Sequence, residues 1–254
     1  YIILILLAIL SGKAFTETAA PNQKQVLAVR AKDKISLDGK LSESEWKDIY
    51  ATSNFVQADP KEGAVPTEKT LVDILYDDDA IYFGARMYDS EPSKIEARLG
   101  RKDVELSSDS FYVYIDPFHD GRTGYYFGVN ASGTQYDGTL MNDSWNDSSW
   151  DGVWEGKAPL DEKGWTAEIR IPYSQLRFTQ TDHYTWGINF KRTISRKNES
   201  DYLTYTPKNG SGFVSRFPVL TGLENIQPKR TLEIIPYLTS RGEFFQREAG
   251  DPLH

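Results

Sequence analysis

The sequence predicts an all-β protein built as an antiparallel β-sandwich. Three observations point there: many short strands with one apolar and one polar face, turn residues at close intervals between them, and no long amphipathic helical stretch. The element that shows this best is the stretch 109–133. Phe111, Val113 and Ile115 alternate with Ser110, Tyr112 and Tyr114, and Tyr125, Phe127 and Val129 repeat the alternation on a return strand. Pro117, Asp120, Gly121 and Gly124 between them supply the fixed φ, local hydrogen bonding and backbone freedom of a chain reversal.

The other elements follow in chain order. Residues 2–10, IILILLAIL, are too short to cross a bilayer but have the length of a signal-peptide core. Small residues at Gly12, Ala14, Ala19 and Ala20 offer cleavage points. Residues 1–20 are therefore expected to be the leader of an exported protein, in a fragment that lacks its initiator Met; the competing reading is a buried core strand. Residues 21–32 read as a polar linker, and 33–226 as the sandwich. Asp38-Gly39 marks a turn, Ser42 or Ser44 can cap a short helical turn, and Trp46 can plug one end of a core.

Residues 70–76 and 81–88 flank Asp77-Asp78-Asp79 as a second hairpin. Residues 94–105 are charged and weakly helical, the expected place for a helix or an irregular crossing. The stretch 136–157, rich in Asp, Asn, Ser and Trp, reads as loop. Residues 152–158 and 165–171 make a third hairpin, in which Trp165, Ala167, Ile169 and Ile171 face the core and Thr166, Glu168 and Arg170 face away. Trp186, Ile188 and Phe190 point inward from 185–194, and 202–206 and 217–220 are further strands. Residues 229–254 alternate loosely and hold Pro236. They read as the opening strand of a truncated C-terminal region, such as an outer-membrane β-barrel, or as a disordered tail.

Composition narrows the function. A chain of 254 residues with 39% hydrophobic content can bury a full core. Six Trp, fifteen Tyr and twelve Phe exceed what that core requires, so some rings should stand at a binding face. The net charge of −8 argues against a nucleic-acid partner, since nothing here could neutralise a phosphate backbone. The lack of Cys excludes disulfides, thiolate metal sites and a Cys nucleophile. With His only at 119, 183 and 254, a zinc site would have to use carboxylates. No Ser-His-Asp order, HExxH, P-loop or nucleophile elbow is present, and a glycoside hydrolase needs two carboxylates across a cleft, which no spacing here identifies.

A non-catalytic glycan site needs flat apolar surface for the C–H face of a sugar and hydrogen-bond partners at its rim, and Tyr and Trp supply both. The candidates are Trp145, Trp150, Tyr125, Tyr126 and Tyr136, with Trp154 assigned to the core; the alternative is that all these rings plug the ends of the sandwich. Calcium needs six to eight oxygens. Asp109, Asp116 and Asp120 bracket one strand and its turn, and Asp89 can join them, for a structural calcium ion; the alternative is that they are ordinary turn residues. The Asn142-Asp143 to Asp151 loop is a second cation candidate.

The segments LDGKLSESEW, LYDDDAIYFGARMYD, SDSFYVYIDPFHDG, GVNASG, GWTAEIRIPYSQL and WGINFKR occur in the order and spacing of carbohydrate-binding module family 9, which the chain resembles over about 35–223. VWEGK, GWTAEIRIPYSQLRF and LEIIPYL are similar to the variant of that module placed N-terminal to a large outer-membrane β-barrel in bacterial proteins. The resemblance implies a jelly-roll-like sandwich, non-catalytic, built to hold polysaccharide or oligosaccharide and often calcium. It implies a protein of the periplasm or outer membrane of a Gram-negative bacterium, with its own C-terminal barrel region as partner. The alternative is a periplasmic accessory or plug domain that has lost sugar binding. The family's Trp three residues ahead of the match to Asp109 is Leu106 here, and its second Trp falls near Phe213. Its polar contacts fall on Tyr112 and Gly128, which supply neither a carboxylate nor a guanidinium.

Overall fold

In a computed structural model that describes residues 24–47, 52–226 and 239–241, the chain folds into two sheets packed face to face. The strands are β1 (Gln25–Leu27), β2 (Val29–Arg30), β3 (Val56–Asp59), β4 (Thr70–Tyr76), β5 (Ala80–Tyr88), β6 (Ser110–Asp116), β7 (Gly124–Asn130), β8 (Gln135–Met141), β9 (Trp145–Asp147), β10 (Glu155–Lys157), β11 (Leu160–Asp161), β12 (Gly164–Pro172), β13 (His183–Ile194), β14 (Glu199–Tyr202) and β15 (Val219–Glu224). The larger sheet runs β1-β15-β13-β6-β7-β8-β9, with β14 on β13 and β3 beyond it. The smaller runs β10-β12-β5-β4-β2, with β11 on β12. All pairs are antiparallel except β1 with β15 and β2 with β4.

Each hairpin forms where its turn chemistry allows. Between β4 and β5 the Asp77 carboxylate accepts the amides of Asp79 and Ala80, both at 2.8 Å, which closes the turn. The inward side chains then fill the space between sheets. Phe190 on β13 lies among Phe55, Phe83 and Phe111, with centroids 6.5, 6.0 and 5.9 Å away, so rings from both sheets interdigitate at the centre.

The outer face of the smaller sheet is covered as well. The chain from Leu41 through a 3₁₀ turn (Ser44–Trp46) lays the Trp46 ring over Gly84, where a Cβ would come within 2.8 Å of it. Ile35, Leu75, Ala80 and Tyr82 complete this second apolar cluster. Trp46 thus caps the outside of a sheet, not one end of the main core.

Several expectations change. The linker expected over 21–32 holds β1 and β2, with Val26 in the middle of β1 and Ala28 beside it both buried; strands of two and three residues carry too little alternation to mark them. Residues 135–141 and 145–147 are strands within the expected loop, because pairing with β7 overrides the turn preference of Asp137 and Gly138. Thr166 and Glu168, expected to face away, are buried under the cap. Residues 94–105 form an irregular crossing after a single 3₁₀ turn (Pro92–Lys94). The leader expected over 1–20 and the bulk of 229–254 lie outside the described residues.

Candidate functional site

The outer face of the larger sheet is where the surplus rings gather. Outward residues on β6, β7 and β8 are Tyr112, Tyr114, Tyr126, Gly128, Tyr136 and Gly138, aligned by register: Tyr112 pairs with Gly128, Tyr114 with Tyr126, Gly128 with Tyr136 and Tyr126 with Gly138. The two glycines shape the floor. A Cβ on Gly128 would lie 2.4 Å from the Tyr112 ring, and one on Gly138 would lie 2.5 Å from the Tyr126 ring, so each tyrosine reclines over its glycine neighbour. The result is a groove of about 250 Å³ lined by Tyr112, Tyr114, Tyr126, Tyr136, Asp103, Glu105, Asn146, Ser148 and Lys191.

One flank of the tyrosine cluster is fixed by a turn. The Asp143 carboxylate accepts the amides of Phe213 (2.9 Å) and Ser215 (2.8 Å) and the Ser215 hydroxyl (2.8 Å). Burial works to raise its pKa, but those bonds outweigh it and hold the carboxyl below its ordinary value. The turn so held sets Phe213 edge-on to Tyr114 at 4.9 Å. Asp143 is therefore a positioning residue for an aromatic wall.

Burial pushes every groove phenol up in pKa: Tyr126 to about 12, Tyr112 and Tyr114 well above the usual tyrosine range, Tyr136 upward as well. All four hydroxyls stay protonated in ordinary buffers. They can donate and accept hydrogen bonds while their rings offer apolar surface. No described pair of carboxylates faces across this groove with a ring between them; Asp103 and Glu105 come from the same crossing loop.

Of the rings expected to bind, Tyr126 and Tyr136 line the groove. Tyr125 and Trp150 do not: they sit 5.3 Å apart on the opposite, core-facing side of the same sheet, with Trp150 edge-on to Phe127. Trp145 is 61% exposed, on β9 next to Asn146. Asn146 faces the groove, so strand alternation turns Trp145 to the other side. Tyr112, Tyr114, Asp103, Glu105, Asn146, Ser148 and Lys191 are the groove residues outside the expected set. Of these the two tyrosines carry a sequence signal, as polar-phase positions of the central strand.

The four aspartates do not converge. Asp109 and Asp116 stand at opposite ends of β6, roughly 23 Å apart at strand rise. Asp89 is clamped by Arg196 through two 2.8 Å bonds, and Asp109 accepts the Ser195 amide. Asp116 accepts the amides of Asp120 and Gly121, and Asp120 accepts those of Arg122 and Thr123, the bonding of a turn. As a calcium set these residues do not fit. Among the described residues, Asp103, Asp137 and Asp151 are the carboxylates that approach one point, and the Lys102 ammonium stands among them, 2.9 Å from Asp137 Oδ2 and bonded to Asp151.

A family model described as carbohydrate family 9 binding domain-like matches residues 37–206. No curated protein matches the chain. Among solved structures, a family 9 carbohydrate-binding module from Caldicellulosiruptor kristjanssonii in complex with cellotriose superposes with a TM-score of 0.56 at 14% identity, over 85% of this chain and all of that one. The same organism's family 9 module in complex with glucose gives 0.55 at 15% identity, over 84% and 100%. A Bacteroides uniformis protein gives 0.62 at 12% identity, over 79% and 100%.

Proposed function

The chain belongs to the carbohydrate family 9 binding domains, and from that premise we propose that it holds an oligosaccharide or a stretch of polysaccharide in the tyrosine groove, without performing chemistry on it. The observation that carries this is the outer face of the larger sheet. Phe213, Val214 and Phe217 cover one flank of it, and beside them a groove stays open that is lined by half-buried Tyr112 and Tyr114 and by the edges of the mostly covered Tyr126 and Tyr136. Tyrosine rings match the C–H face of a pyranose, and permanently protonated hydroxyls with Asn146 and Ser148 match its hydroxyls. That modules of the same fold hold cellotriose and glucose supports a glucose-containing chain as first ligand to test.

The same reading puts the module in an exported protein at the periplasm or outer membrane, beside its own C-terminal barrel region. It rests on the apolar run 2–10 and the alternating stretch after 229.

Calorimetric titration of the full chain with cello- and xylo-oligosaccharides should give a measurable Kd. Tyr112→Ala or Tyr126→Ala should each weaken it by roughly tenfold, the scale of one aromatic contact. Trp150→Ala and Trp145→Ala should leave the Kd within about twofold, because those rings face away from the groove. Failure to bind any plant, algal or bacterial glycan would defeat the reading.

A further inference from the structure

Lys191 is a groove cation in an acidic protein, one with 37 carboxylate side chains against 29 Lys and Arg. Among the described residues no carboxylate lies within ion-pairing reach of the Lys191 ammonium. Its neighbours are two rings, Tyr112 at 5.8 Å and Tyr202 at 5.6 Å. It is only partly buried, and it lines the groove. A cation over ring faces keeps its N–H donors available for an outside acceptor.

One acid of the groove, Asp103, stands at its other end. Lys191 is on β13, paired with Tyr112 on β6, which pairs with Gly128 on β7 and then Tyr136 on β8. Three strand spacings put Lys191 about 14 Å from that end. There Asp103 Oδ1 accepts the Asp137 amide at 2.9 Å. Glu105, two residues later on the same loop, also lines the groove, and its charge reaches Tyr112 and Tyr114 on β6. The groove therefore carries a cation at β13 and acids from the 103–105 loop, one of them at β8, with tyrosine between.

We propose that the groove selects a glycan that is neutral over most of its length and carries a single carboxylate, a uronic acid unit, seated at Lys191. The carboxylate replaces the acid partner that the fold withholds from Lys191, forming a charge-assisted hydrogen bond in a partly dry site. The sugars beyond it lie over Tyr112, Tyr126 and Tyr136. A second carboxylate would meet Asp103 and Glu105, so polyuronates are disfavoured. This inference rests on the groove being the glycan site.

The test compares matched ligands on the full chain by calorimetry: xylotetraose, the same oligomer with one glucuronate branch, and trigalacturonate. The expected result is at least fivefold tighter binding of the mono-acidic oligomer than of xylotetraose in 50 mM salt. That ratio should shrink toward one in 0.5 M salt. It should also fall to about one in Lys191→Gln and survive in Lys191→Arg, with trigalacturonate weaker than the mono-acidic ligand. Binding of the mono-acidic oligomer alone would support the proposal equally. A ratio of one or less in the unmodified protein overturns it while leaving the glycan site standing, as does a high ratio that persists in Lys191→Gln. Absence of binding by all three overturns both.

Discussion

Glu168 stands on the outer face of the smaller sheet, opposite Gly84, and is completely buried by the loop that carries Trp46. Oε2 accepts the Gly39 amide at 2.7 Å, and Oε1 has no partner. Burial, aided by the nearby charges of Glu43 and Asp38, pushes its carboxyl up to about 7. Burial also raises Asp201 to about 7 and Asp73 to about 6. In the unfolded chain such groups ionise near 4. As pH rises from about 4 to 7 the unfolded state therefore releases protons that the folded state retains, and stability falls across that window. For Glu168 alone the loss is on the order of 3 kcal/mol. Melting curves from pH 4 to 8 should show the midpoint falling as pH rises, and Glu168→Gln should flatten that slope; a midpoint that rises steadily to pH 8 would contradict it. The alternation of the strand marked Glu168 as solvent-facing. Only the arrival of residues 39–46 from elsewhere in the chain buries it.

At the level of the strand, two glycines of the groove separate binding from folding. The nearest obstacle to a Cβ on Gly128 is the Tyr112 ring, a movable side chain, whereas Gly138 is also blocked by the backbone carbonyl of Asp147 at 2.4 Å. Gly128→Ala should leave the melting temperature within a few degrees yet tilt Tyr112 off the floor, weakening glycan binding about as much as Tyr112→Ala. Gly138→Ala should instead strain the pairing of β8 with β9 and destabilise the protein by about 1–3 kcal/mol. Paired melting and titration measurements distinguish the two, and equal melting losses would refute the assignment. The hairpins at 70–88, 109–133 and 152–172 were legible because period-2 patterning and turn residues are local properties. Strand β8 was not legible, because Asp137 and Gly138 look like a turn. Their strand conformation depends on β7 alongside and on Asp137 receiving the Trp154 indole N–H at 2.5 Å.

Across the whole molecule, one end of the sandwich is tied by arginines. Arg192 of the larger sheet, fully buried, donates to the Lys69 carbonyl at 3.1 Å, the Thr70 hydroxyl at 3.2 Å and the Tyr88 carbonyl at 2.7 Å, all on or beside the smaller sheet. Arg196 adds its two bonds to Asp89. Arg192→Met removes the charge but not the bulk, and strands those acceptors with Asp109 and Asp201 close by. The expected cost is about 3–5 kcal/mol in chemical denaturation; a loss below 1 kcal/mol would show that the tie is dispensable. EDTA should not shift the melt through Asp89, Asp109, Asp116 and Asp120: Arg196 holds Asp89, backbone amides hold Asp116 and Asp120, and Asp109, with Oδ1 on the Ser195 amide and Oδ2 unpartnered, stands a strand's length from Asp116. Local patterning was enough for the all-β class, the main hairpins and the inward residues, since each is written in the spacing of neighbouring side chains. That residues 35–46 cover the smaller sheet while 213–217 cover the larger one only in part followed from tertiary contacts alone. So did the partners of each aspartate and the gathering of Tyr112, Tyr114, Tyr126 and Tyr136 into one groove. Those outcomes depend on segments far apart in the chain meeting across a sheet, and alternation along a single strand distinguishes its two faces without saying what will lie against either.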